Sequence, residues 1–90
     1  MYADLNKLQA LFFWRNPIDD ISPLANLTRM KNLDAGTCQI TDISPLRQLT
    51  RLEKLNLSRN NISDLEPLQN LTRIRELGLR DNKIMDVRRP

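Results

Sequence analysis

Apolar positions return along this 90-residue chain at a fixed interval of 22 residues. One copy of the pattern holds Leu52, Leu55, Leu57 and Asn60, and the next holds Ile74, Leu77, Leu79 and Asn82. Earlier copies hold Leu8, Leu11, Phe13, Asn16 and then Met30, Leu33, Ala35, Cys38. The register continues between copies through Ile18, Ile40, Ile62, Ile84 and through Ile21, Ile43, Leu65, Val87. It closes through Leu24, Leu46, Leu68 and through Leu5, Leu27, Leu49, Leu71. Nothing is inserted or deleted, so one structural unit is stacked on copies of itself.

Two local periods sit inside each copy. The centre alternates apolar and polar residues, the period of a half-buried strand. It predicts four strands, over 10–14, 32–36, 54–58 and 76–80. Successive strands would pair in parallel, about 4.8 Å apart. Such pairing needs a crossover of about a dozen residues, which a 22-residue period just supplies. Each crossover carries a proline, in Ser22-Pro23, Ser44-Pro45 and Glu66-Pro67. Ser before Pro is a helix-opening signal in which the hydroxyl caps and the proline occupies the first turn. Asp20, Asp42, Asp64 and Asp86 stand two residues earlier, where a carboxylate can accept turn amides. The room left suits 3₁₀ or one-turn helices, not a full α-helix.

Asn16, Asn60 and Asn82 fall where the chain turns out of the strand. An amide there can donate and accept at once, so one per repeat would build a hydrogen-bonded ladder. Cys38 takes the same place in the second copy and reads as a small buried donor. With no second Cys and no His in the chain, a metal-binding thiol lacks co-ligands.

The unit Asn-x-Ile-x-Asp-Ile-x-Pro-Leu-x-x-Leu-Thr-x-Leu resembles the 22-residue class of leucine-rich repeats. That class occurs in bacterial internalins and in a regulatory subunit of type-1 protein phosphatase. Phe13, Ala35 and Cys38 depart from it, as do Arg89-Pro90 at the next Pro-Leu place. The resemblance implies an α/β repeat solenoid of four repeats. A short parallel sheet would line its concave side, and 3₁₀ turns its convex side. Residues 1–90 would form a single repeat domain.

Composition narrows the functional classes. Fourteen basic and eleven acidic residues leave a net charge of +3, too mixed to imply a nucleic-acid surface. No apolar run nears the roughly 18 residues of a membrane span. The opening residues do not resemble a secretory leader. A single cysteine leans towards a reducing, cytoplasmic setting. Neither a nucleophile with its base nor a metal cluster is evident, so the expectation is a non-enzymatic protein without cofactors or metal. The chain begins and stops at one phase of the repeat, with no evident cap at either end.

The sheet residues that point away from the core are then the ones free to meet a partner. Their columns read Ala10, Asn32, Lys54, Glu76; Phe12, Asp34, Asn56, Gly78; and Trp14, Gly36, Ser58, Arg80, flanked by Arg15, Thr37, Arg59, Asp81. From these, Phe12, Trp14, Arg15, Asp34, Lys54, Asn56, Glu76 and Arg80 are the candidate partner-binding residues. Phe12, Trp14 and Arg15 concentrate the residue types most enriched at protein-binding hot spots. Their plainer reading is contact with another part of the fold or with a second copy. Lys7, Arg29, Arg51 and Arg73 form a separate row. It could dock an acidic partner, but interspersed Asn, Gln and Glu dilute it and it reads first as a solvated edge. Two functions are therefore expected. One is a protein–protein interaction module using the concave face. The other is a repeat fragment or engineered building block that forms homo-oligomers through its uncapped ends.

Overall fold

The computed structural model describes residues 5–84. Asp86, Val87 and the expected bare chain ends lie outside that range. Four strands, β1 Ala10–Phe12, β2 Asn32–Asp34, β3 Lys54–Asn56 and β4 Glu76–Gly78, form one parallel sheet in sequence order. Ala10 pairs with Asn32, Asn32 with Lys54, and Lys54 with Glu76. The register is the 22-residue period itself, so each spacing read in the sequence is a pairing in space. Three-residue turns or longer of 3₁₀ helix fill the crossovers at Ser22–Asn26, Ser44–Gln48 and Glu66–Leu68. A further 3₁₀ turn, Leu5–Lys7, precedes β1.

The strands are shorter than the five residues the alternation predicts. Their hydrogen bonds nevertheless run on, from Phe13 N–H to the Asp34 carbonyl and from Arg15 N–H to that of Gly36. What ends the extended geometry is a left-handed residue in every repeat, at Arg15, Thr37, Arg59 and Asp81, with φ of 58–64°. These residues turn the chain out of the sheet, and Arg15, Thr37 and Arg59 still donate to the next repeat, at the carbonyls of Gly36, Ser58 and Arg80. Thr37 is the costliest occupant, because a branched Cβ crowds the backbone at positive φ. It is exposed, so Thr37→Asn should raise stability by up to about 1 kcal/mol in a denaturant titration. An unchanged or lower midpoint would mean that the Thr37 conformation carries no strain.

The crossovers also correct one reading. Neither Ser22 nor Ser44 caps its helix through the hydroxyl, and the cap positions are Ile21 and Ile43. The Asp carboxylates do that work: Asp20, Asp42 and Asp64 accept the amides of Ser22, Ser44 and Glu66 at 2.9–3.0 Å. A carboxylate two residues upstream reaches the amide in an Asx-type turn, which leaves the serine hydroxyl a supporting donor. The backbone amide, and then the hydroxyl, of Ser22 lower the pKa of Asp20 below 3.8; Ser44 does the same for Asp42. Groups with a depressed folded pKa stabilise above their unfolded value and lose that contribution as pH falls through the folded one. Stability should therefore drop as pH is taken below about 3.8. The Asp20→Asn/Asp42→Asn variant should show a shallower drop in acid unfolding followed by circular dichroism. An identical acid limb would rule these two caps out as its source.

Burial is concentrated in the two inner repeats. Met30, Leu33, Ala35 and Ile40 of one, with Leu52, Leu55, Leu57 and Ile62 of the next, are 0–2% exposed. Ile43, Leu46 and Leu49 close the core beneath the 3₁₀ turns. In the outer repeats the same columns open to solvent. Leu8, Leu11 and Phe13 are half-buried, while Ile18, Leu77 and Ile84 are exposed. A solenoid repeat buries its apolar face only against its neighbours, so an outer repeat has half the cover.

The asparagine ladder binds the repeats at the turn. Buried Asn60 donates from Nδ2 to the carbonyls of Ala35, Leu57 and Ser58, and its Oδ1 accepts the amides of Cys38 and Ile40. Asn82 repeats the arrangement with Leu57, Leu79, Arg80 and the Ile62 amide. Cys38 fills the rung as the sequence suggested, with Sγ donating to the carbonyls of Phe13 and Gly36 at 3.3 Å. It supplies the donor half of an amide only. The Ile18 amide, which an asparagine at 38 would receive, bonds instead to the Asn16 carbonyl.

Candidate interaction surface

Side chains alternate across each strand, so the middle residue of each strand faces the core and the two around it face outward. The outward face is polar over β2–β4 and aromatic at β1. Phe12 and Trp14 are 58% and 52% exposed. The Arg15 guanidinium lies over the Trp14 ring, 5.5 Å from its centroid. That cation–π contact preorganises both side chains. It follows from the left-handed backbone of Arg15, which folds residue 15 back beside residue 14.

Next to this corner the surface is held flat by side-chain bonds. Asp34 Oδ1 accepts the Gly36 amide and also Asn56 Nδ2, at 3.2 and 3.0 Å. Asn56 Oδ1 accepts the Ser58 amide at 3.0 Å. Asp34 and Asn56 thus serve the sheet as well as facing outward. Gly78 ends their row. A Cβ there would stand 2.8 Å from Asn56 Oδ1 and 3.0 Å from Ser58 Oγ, so a side chain would displace the ladder.

Two shallow depressions result. One of about 400 Å³ joins Trp14, Arg15, Asp34, Asn56 and Arg80 with Gly36, Thr37, Ser58 and Arg59. The other, about 340 Å³, joins Asp34, Lys54, Asn56 and Glu76 with Asn32 and Gly78. All the candidate residues therefore lie on one face, and Asp34 and Asn56 border both depressions. Phe12 lines neither, but it pairs with Asp34 across the sheet. Asn32, Ser58 and Arg59 also line the depressions and were absent from the candidate set. The signal for them was available, since each stands in an outward column.

The charges are partly committed. Lys54 lies 4.0 Å from Glu76, and Arg59 and Arg80 share Asp81 at 3.5 and 3.6 Å. These are exposed pairs and contribute little to stability. Among the described residues Arg15 has only its aromatic partner. The trough beside Trp14 is consequently cationic, and the trough over β3 and β4, with Lys54 against Asp34 and Glu76, is net negative. Among the described residues no group of His, Cys, Asp or Glu could hold a metal ion, and no helix is long and apolar enough to cross a membrane.

A family model for leucine-rich repeats, in two copies, matches residues 6–48 and 50–88. The chain belongs to the leucine-rich repeat family. A solved structure of an internalin C2 from Listeria monocytogenes str. 4b F2365 superimposes on it with a TM-score of 0.90. The two are 43% identical over 92% of this chain, and the match covers 37% of the internalin. The chain thus spans a little over a third of that relative's length. No curated protein sequence matches. Leucine-rich repeat domains generally mediate protein–protein interaction, and proteins like the internalins are typically non-enzymatic.

Proposed function

We propose that this leucine-rich repeat chain binds another protein on the outward sheet face, with Phe12, Trp14 and Arg15 as the anchor. The observation that carries the reading is the exposure of Phe12 and Trp14 on a face where the core could have used them. Asp34, Lys54, Asn56, Glu76 and Arg80 extend the contact along the sheet, where Lys54, Glu76 and Arg80 offer charged groups. A partner's apolar side chain would rest on Trp14, and its polar groups would meet the ladder beside it. Trp14→Ala should change folding stability by no more than about 0.5 kcal/mol, as exposed substitutions do. It should weaken partner binding about tenfold or more, as loss of an aromatic anchor does. Outright unfolding of that variant would place Trp14 in the core and end this reading.

The second reading, assembly of the chain with itself, is favoured by a different observation. Leu11, Phe13, Ile18, Ile21, Pro23 and Leu24 line an apolar depression of about 290 Å³ at the first repeat. Leu77 and Ile84 are exposed at the last described one. Head-to-tail contact of such faces is heterologous and open-ended. Light scattering separates the two readings: a mass that climbs with concentration supports assembly, and a constant mass near 10.5 kDa supports a foreign partner.

A further inference from the structure

The two flanks of the solenoid carry opposite charge. On the flank leading into the strands, residues 5–9, 27–31, 49–53 and 71–75 hold six cations, Lys7, Arg29, Lys31, Arg51, Arg73 and Arg75, against one carboxylate, Glu53. Glu53 is occupied by Arg75 at 3.9 Å. On the opposite flank, residues 16–21, 38–43, 60–65 and 82–84 hold Asp19, Asp20, Asp42 and Asp64 against Lys83.

Within the basic flank, Lys7, Arg29, Arg51 and Arg73 each stand three residues before a strand, at the in-register positions Ala10, Asn32, Lys54 and Glu76. All four are exposed, and none makes an ion pair with a described residue. In-register stacking sets like charges about 4.8 Å apart, an arrangement that repels itself and gains nothing within the described fold. The apolar residues between them, Met30, Leu49, Leu52 and Leu71, are buried. The row is therefore a line of cations over hydroxyls and amides; among the flank's described residues the one exposed large apolar side chain, Leu5, stands at its end beside Lys7 and not between the arginines.

We infer that this basic flank docks an acidic α-helix of a protein partner. Spacing selects the helix. Carboxylates on one helical face recur about every turn, or 5.4 Å, so four of them drift from four rows by only about 2 Å. An extended strand presents same-face side chains about 6.6–6.8 Å apart and would drift by roughly 6 Å. Long arginine side chains absorb the first mismatch and not the second. Single-stranded nucleic acid needs aromatic platforms along its basic groove, and Phe12 and Trp14 lie on the sheet face instead. A lipid surface would want exposed apolar side chains between the cations, where this flank has Thr28, Thr50 and Thr72. The proposal is independent of the sheet-face site.

The test uses a labelled helical peptide with Glu at every turn of one face, titrated into the full chain by fluorescence anisotropy. The control is a helical peptide of equal composition with its Glu residues scattered around the axis. The aligned peptide should bind more tightly than the control, and severalfold more weakly as salt rises from roughly 0.05 to 0.3 M. Arg29→Glu/Arg51→Glu should weaken it about tenfold or more, and Arg29→Gln/Arg51→Gln by less. Both variants alter exposed residues and should keep the wild-type circular dichroism. Trp14→Ala should leave this binding unchanged. Equal affinity for the two peptides, indifference to the Arg29 and Arg51 substitutions, or loss on Trp14→Ala would overturn the proposal. So would tighter binding of an oligonucleotide or an anionic vesicle carrying the same charge.

Discussion

Asn60→Ala is expected to destabilise the fold by about 3 kcal/mol or more, since truncation strands several buried polar groups at once. Asn60 is 6% exposed and ties three carbonyls and two amides from two adjacent repeats. Removing it leaves the buried amides of Cys38 and Ile40 without their acceptor. An unpaired buried donor costs about 1–3 kcal/mol, and two are created. Asn60→Asp separates the halves of the role. It keeps the acceptor but sets a carboxylate against the carbonyls of Ala35 and Leu57, and should be at least as damaging at neutral pH. Urea titration of both variants against the wild type reads the effect. A loss under about 1 kcal/mol for Asn60→Ala would mean that water or a rearranged turn replaces the rung.

The second large effect compares two leucines of one column. Leu55 and Leu77 are in-register partners on β3 and β4, yet Leu55 is 2% exposed and Leu77 is 46% exposed. Leu55→Ala should cost about 2–5 kcal/mol, because the lost transfer energy is joined by a cavity the neighbours cannot fill. Leu77→Ala should cost about 1 kcal/mol or less, as a partly exposed side chain loses little burial. Thermal unfolding of the pair would show it. Equal losses would mean that the face of the last described repeat is covered in solution, which favours the assembly reading.

That contrast marks what a sequence of this kind conveys. The period of 22 carries strand order, register and core columns together, because stacking turns spacing into adjacency. Leu55 and Leu77 nevertheless look alike in the chain, and only the number of neighbouring repeats separates them. The left-handed turns were not legible either. Arg15, Thr37, Arg59 and Asp81 are not the glycines that usually announce positive φ, so the strands read two residues too long. Ser22 and Ser44 looked like the caps because Ser-Pro is a strong local signal. Asp20 and Asp42 prevail because their reach to an amide two residues on is geometrically better. On the candidate surface, alternation was enough to place Phe12 and Trp14 outward. The bond between Asp34 and Asn56 was not readable, since it depends on which way two side chains bend across neighbouring strands. The pairing of Arg59 with Asp81 across adjacent repeats has the same origin.

Photocrosslinking from chosen positions tests the proposed function most directly. A photoreactive side chain would stand at residue 12 or 14 on the sheet face, and at residue 47 or 48 on the 3₁₀ side as the control. The expected result is adducts with another protein from positions 12 and 14 and few from 47 and 48. Adducts that contain only a second copy of the chain, or that form equally from both sides, would contradict a partner-binding sheet face.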